Sequence, residues 1–73
     1  MIGRVLSPES LAALNLRVQG FLQDGYWIVL SYKSNDLCVV RLRHRNGNII
    51  TLKLSVDDGI VRQSSGRKTM EVY

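Results

Sequence analysis

The sequence predicts an α+β fold in which one N-terminal helix packs on one face of a four- to five-stranded antiparallel meander sheet. Apolar residues recur with helical spacing near the start of the chain and with a period of two from residue 25 onward. Short turn sequences separate the strand segments, which favours hairpins between neighbouring strands. With 73 residues, the chain is expected to form one small domain, residues 1–73.

The helix is predicted over residues 8–24. Ser7 can cap free backbone amides, Pro8 suits the first helical turn, and Gly25 provides a stop. One stripe of the helix is apolar and is predicted to face the core; it comprises Leu11, Leu14, Val18, Phe21 and Leu22. The other side carries Ala13, Leu16 and Gly20. We interpret this side either as a dimer contact or as an exposed leucine without a partner.

Strands are predicted at residues 26–33, 37–45, 48–56, 60–64 and 68–73. In the second segment an apolar set alternates with Arg41, Arg43 and Arg45, so the arginine side must face away from the core. The core sets are Cys38, Val40, Leu42 and His44 in the second segment and Ile50, Leu52, Leu54 and Val56 in the third. Lys53 then lies on the outward side together with the arginines.

In the first segment the alternation assigns Tyr26, Ile28, Leu30 and Tyr32 to the core side. Trp27 and Lys33 are left on the outward side. Between the second and third segments we predict a three-residue loop of Asn46, Gly47 and Asn48. This loop places Leu42 opposite Leu52 and Arg41 opposite Lys53, with Asn48 in the left-handed backbone conformation.

Composition limits the classes of function. Ten Lys and Arg against six Asp and Glu give a formal charge of +4 and a pI near 9.7, which favours anionic partners. Cys38 has no second cysteine to pair with, and no signal-peptide pattern or membrane-spanning apolar run is recognised, so we expect a cytoplasmic location and no membrane partner. No motif predicts a metal site or a cofactor.

The leading hypothesis is a non-enzymatic binding module whose open sheet face contacts nucleic acid or another anionic surface. The candidate binding residues share a predicted outward position; they are Trp27, Lys33, Arg41, Arg43, Arg45 and Lys53. The competing interpretation of the same residues is a solvated face whose charges prevent aggregation.

Two further alternatives remain. One is a protein-interaction or inhibitor module of phage or bacterial type, acting as a homodimer or docking on a larger protein. The other, which we favour least, is a small ribonuclease toxin. It would use His44, the only histidine in the sequence, as its acid-base group.

Overall fold

The computed structural model describes residues 4–67 and shows the predicted α+β architecture, with one helix packed on a four-stranded antiparallel sheet. The elements are helix α1 Pro8–Gln23 and strands β1 Trp27–Lys33, β2 Leu37–Arg43, β3 Asn48–Ser55 and β4 Val61–Arg67. The strands lie in the order β1-β2-β3-β4, so each pairs with the next one along the chain. In the described part of the protein, β1 and β4 are therefore the two edge strands.

The local signals at both ends of α1 act as predicted. The Ser7 hydroxyl accepts a hydrogen bond of 3.1 Å from the backbone amide of Ser10, which satisfies one of the free amides of the first turn. At the other end Gly25 has φ of +96°, a conformation that glycine adopts without steric cost. The chain leaves the helix there and enters β1 two residues later.

The core lies between α1 and the two central strands. Leu14 and Val18 of α1 are buried, whereas Leu22, predicted for the same stripe, is 39% exposed. The core position predicted for Leu22 is wrong; in this last turn of α1 the adjacent Phe21 packs against the core instead. The buried residues of the sheet all come from the sets predicted for β2 and β3: Cys38, Val40, Leu42, Ile50, Leu52 and Leu54. The core position predicted for Ile28 of β1 is wrong, because this residue is 45% exposed in an edge strand. We call their side of the sheet the helix face and the opposite side the open face.

The β2–β3 hairpin has a different turn from the predicted one. Its loop is Arg45 to Gly47, closed by a hydrogen bond of 2.9 Å from the His44 amide to the Asn48 carbonyl. Gly47 takes the left-handed position, with φ of +98°, that we had assigned to Asn48. Glycine is favoured there because it has no Cβ to clash with the backbone.

The register of β2 and β3 is consequently shifted by two residues from the prediction. Leu42 lies opposite Ile50 and Arg41 opposite Thr51. A shift of two preserves the face on which every side chain points, so the predicted core and outward sets remain correct. The predicted juxtaposition of Arg41 and Lys53 is wrong.

A β-bulge interrupts the pairing of β1 with β2. Ile28 lies opposite Leu42 and Leu30 opposite Arg41, so Val29 has no partner in the register. The extra residue reverses the alternation in the second half of β1. Leu30 and Tyr32 therefore lie on the open face, and Lys33 lies on the helix face.

Strand β4 also differs from the prediction. The predicted turn near Ser65 is absent, because Ser65 and Gly66 continue the ladder opposite Ile50 and Ile49. Pairing with β3 holds these residues extended despite their weak intrinsic preference for strands. The strand predicted at residues 68–73 lies outside the described residues. In residues 4–67 the single helix is too short and too polar to cross a membrane.

Candidate functional site

The four described strands contain no acidic residue, although they carry several basic ones. The acidic residues of the described range lie in the helix and in the segments between elements; they are Glu9, Asp24, Asp36, Asp57 and Asp58. The sheet surface is therefore cationic, and its acidic neighbours are confined to its ends. Of these acidic residues, Asp58 reaches the sheet, where it pairs with Arg62 and interacts electrostatically with Lys53.

Four of the predicted binding residues share the open face. Trp27 lies directly opposite Arg43 on the paired strands β1 and β2, and Arg41 is two residues before Arg43 on the same side. Lys53 of β3 lies opposite Val39 of β2, also on this side. The helix covers the other side of the sheet, so all four residues keep part of their surface in solvent.

Two residues that were predicted to be buried also lie on the open face. The bulge at Val29 brings Leu30 opposite Arg41 and Tyr32 opposite Val39. Residues 27–30 are all apolar, so alternation along this run could not predict which side chains face the core. We define the open-face patch by its members from three strands: Trp27, Leu30, Tyr32, Arg41, Arg43 and Lys53.

The side chain of Arg41 is oriented by a neighbour on β3. Its Nε donates a hydrogen bond of 3.3 Å to the hydroxyl of Thr51, the residue directly opposite. The terminal nitrogens of this guanidinium are left to contact other groups. Arg41 also borders a shallow groove on the open face, together with Ile49, Thr51, Ser64, Ser65 and Gly66. Thr51 and Ser64, which are paired on the open face, carry hydroxyls that are suitable donors to a phosphate oxygen.

Arg62 is a fourth cation of the open face, opposite Lys53, but it is engaged in an ion pair. Its Nε and Nη2 donate to the Asp58 carboxylate at 2.8 and 3.2 Å. These hydrogen bonds lower the pKa of Asp58 and raise the pKa of Arg62. Because Asp58 neutralises Arg62, we do not include this arginine in the open-face patch.

Two other predicted binding residues lie elsewhere. Lys33 is on the helix face opposite Cys38, because the bulge reversed the alternation. Burial raises the pKa of the Cys38 thiol, and the positive charge of Lys33 acts in the opposite direction. Arg45 is exposed in the hairpin turn, beyond the last paired residue of β2. It therefore extends the basic surface at one end of the sheet.

The helix residues that were predicted to form a dimer contact are exposed in the described part of the chain. Leu16 is 74% exposed, and Ala13 and Gly20 are exposed as well. A Cβ added to Gly20 would meet no atom within 4 Å, so nothing in the described structure uses its missing side chain. This arrangement leaves the helical dimer contact a prediction.

His44 lies on the helix side of the hairpin end, away from Arg41 and Arg43. Its Nδ1 accepts a hydrogen bond of 3.1 Å from the Asn46 amide, and its ring packs edge-to-face on Tyr26 at 4.9 Å. These contacts stabilise the turn and join it to the start of β1. Within residues 4–67, no three His, Cys, Asp or Glu side chains are grouped to hold a metal ion.

Comparisons of this chain with protein-family models, with curated proteins and with solved structures find no match. Its class is therefore defined by its architecture, a small α+β protein whose helix covers one side of an antiparallel sheet. The other side carries the open-face patch.

Proposed function

We propose that this protein is a non-enzymatic binding module that contacts nucleic acid through the open-face patch. The observation that carries the proposal is the position of Trp27 directly opposite Arg43 on the side of the sheet that α1 leaves uncovered. Proteins bind single-stranded nucleic acid by stacking bases on aromatic rings and by neutralising phosphates with cations. Trp27 and Arg43 provide one group of each kind.

Phosphate contacts would come from Arg41, Arg43 and Lys53. The described strands carry no acidic side chain, although Asp58 of the preceding turn interacts electrostatically with Lys53 as well as with Arg62. The hydrogen bond from Arg41 to Thr51 fixes part of one guanidinium before any ligand arrives, which reduces the entropy lost on binding. Charge on this face also increases the rate of encounter with a polyanion.

Base stacking would use the aromatic residues of β1. Trp27 and Tyr32 are 45% and 53% exposed and lie toward opposite ends of the strand on the open face. An unpaired base can stack on either ring irrespective of its identity, since every base has a π face. We therefore propose binding with low sequence preference and a preference for single strands over duplexes.

The test uses the intrinsic fluorescence of Trp27, the only tryptophan in the sequence. Titration with a single-stranded oligonucleotide is expected to quench this fluorescence because of stacking. With three cations on phosphates, the slope of log K against log salt is expected to be about −2, which weakens binding about fifteenfold between roughly 50 and 200 mM salt. No change in fluorescence or anisotropy of a labelled oligonucleotide at low salt would contradict the proposal.

A charge-matched pair of variants separates the patch from the net charge. Arg41→Gln with Arg43→Gln is expected to weaken binding at least tenfold and to reduce the salt slope by about 1.4. Arg17→Gln with Lys33→Gln removes the same charge from the helix and the helix face, and it is expected to have a much smaller effect. Equal losses in the two double variants would show that only the net charge matters.

A second candidate function is docking on a larger protein, which the exposed apolar surface of β1 favours. The two functions differ in salt dependence, because an apolar interface is weakened little by salt. We do not favour the ribonuclease alternative, since His44 and the arginines lie on different sides of the sheet. A cytoplasmic location, with nucleic acid as an accessible partner, completes the proposal.

A further inference from the structure

Strand β1 is an unusual edge strand. All seven of its residues are exposed, although five of them are large and apolar or aromatic. The relative exposures of Trp27, Ile28, Val29, Leu30 and Tyr32 range from 45% to 53%. These side chains project from both faces of the sheet, and in residues 4–67 no strand pairs with the outer edge of β1.

Edge strands of stable monomers are ordinarily short, charged or interrupted, because their unpaired backbone groups can pair with another chain. β1 has a bulge at Val29 and a single charge, Lys33, at its last position. Leu30, Ser31 and Tyr32 lie between the bulge and the lysine in regular register with β2. In the part of the chain that the structure describes, this edge is therefore both apolar and available for pairing.

We propose that β1 pairs antiparallel with β1 of a second copy of this chain. A two-fold axis perpendicular to the sheet brings two identical antiparallel strands together and keeps each face of one copy beside the same face of the other. Leu30 and Tyr32 of one copy then lie beside open-face side chains of the second copy. The proposal does not depend on the proposed function.

The exposed apolar surface of β1 also favours a second copy. Ile28, Val29 and Leu30, none of which is assigned to base stacking, are 45–48% exposed in each copy. Pairing along the edge of β1 would bury part of this surface and leave the open-face sides of Trp27 and Tyr32 accessible. Backbone hydrogen bonds along the strand would add direction and register.

Charge favours a second copy over an acidic partner at this edge. The cations of the open-face patch lie on β2 and β3, whereas the seven residues of β1 contain only Lys33. An acidic strand placed along β1 would meet apolar side chains rather than those cations. Antiparallel pairing of two β1 strands matches apolar residues with apolar residues and places the two Lys33 side chains toward opposite ends of the interface.

The dimer would contain a continuous eight-stranded sheet, twice the four strands of one copy. Both open-face patches would lie on the same side of that sheet. The arginines of each copy would be separated from those of the other by the two β1 strands, so salt screens most of their repulsion. We therefore expect dimerisation to persist, or to strengthen, as salt is raised.

The experiment is sedimentation equilibrium of the full chain from micromolar to submillimolar concentration. We expect a monomer–dimer equilibrium in the wild type. Leu30→Lys and Val29→Lys each add a charge to an exposed position of β1, and each is expected to weaken the dimer at least tenfold. The control is Leu16→Lys, which adds the same charge to the most exposed apolar residue of the helix and is expected to leave the dimer unchanged.

Circular dichroism confirms that each variant is folded before its mass is interpreted. If Leu30→Lys does not fold, Val29→Lys decides, because Val29 has no partner on β2. A wild-type chain that stays monomeric at every concentration would overturn the proposal. So would a dimer that Leu16→Lys dissociates and both β1 variants leave intact. Oligonucleotide binding is measured separately, so its failure would not affect this conclusion.

Discussion

Trp27 and Arg43 are directly opposite each other on the paired strands β1 and β2, on the side of the sheet that α1 leaves uncovered. Side chains in this relationship have Cβ atoms about 5 Å apart, so an indole and a guanidinium are held within reach of one ligand. The pairing follows from alternation along each strand and lies on the side of the bulge where that alternation is still regular. This relationship is the basis of the proposed binding surface.

The hydrogen bond between Arg41 and Thr51 yields a prediction about positioning. Thr51→Val keeps the shape of the side chain but removes the hydroxyl that accepts from Arg41 Nε. We expect oligonucleotide affinity to fall about threefold to tenfold while the salt slope stays unchanged, because the cation is retained and only its orientation is lost. The measurement is the Trp27 titration at several salt concentrations, with Ser31→Ala, which removes a hydroxyl from the helix face, as the control. A reduced salt slope would contradict a positioning role.

At Gly25 a side chain would meet both backbone strain and a close neighbour. Its φ is +96°, and an added Cβ would lie 3.1 Å from Nε2 of His44. We expect Gly25→Ala to lower the free energy of unfolding by about 1–3 kcal/mol, because it combines backbone strain with crowding of the histidine. Chemical denaturation measures the change. The control is Gly59→Ala, where φ is +71° and an added Cβ would meet no atom within 4 Å. Equal losses of unfolding free energy in the two variants would show that backbone strain alone is the cause.

Gly20 leads to the opposite expectation. It lies inside α1, and an added Cβ would meet nothing within 4 Å. Gly20→Ala should raise the free energy of unfolding by roughly 0.5–1 kcal/mol through helix propensity alone. Thermal denaturation at low protein concentration tests this. A destabilised protein, or a weakened oligomer, would instead support the helical dimer contact predicted from Ala13, Leu16 and Gly20.

Asp58 gives a prediction about pH. Its pKa is lowered below the ordinary value of 3.8, chiefly by hydrogen bonds from Arg62. A carboxylate whose pKa is lower in the folded state stabilises the fold above its unfolded pKa, and this contribution is lost as pH falls through the folded value. Between about pH 4 and pH 2, Asp58→Asn should therefore lose less stability than the wild type. Denaturation midpoints across this range measure the difference, with Asp36→Asn as the control.

Much of this fold could be predicted from local patterns. The start of α1 could be predicted because Ser7 and Pro8 are typical of the first turn of a helix. The buried side of β2 could be predicted because its arginines had to face away from the core. The register of the β2–β3 hairpin could not be predicted, since Asn46, Gly47 and Asn48 allow several loops that differ by a shift of two residues. Such a shift leaves the faces intact, which is why the predicted outward positions of Arg41 and Arg43 were correct despite the wrong register, whereas Arg45 lies in the turn.

The α+β class, the position of the helix, the buried side of the two central strands and the outward positions of Arg41 and Arg43 were encoded in the local residue pattern. They follow from the period of the apolar residues in α1, β2 and β3, where one face is buried. The residues that join the arginines were set by the strand pairing, which placed Tyr32 and Leu30 on the open face and Lys33 on the helix face. The reason is the bulge at Val29, where an unpaired residue in an edge strand reverses the alternation at little cost, because neither face of β1 is buried.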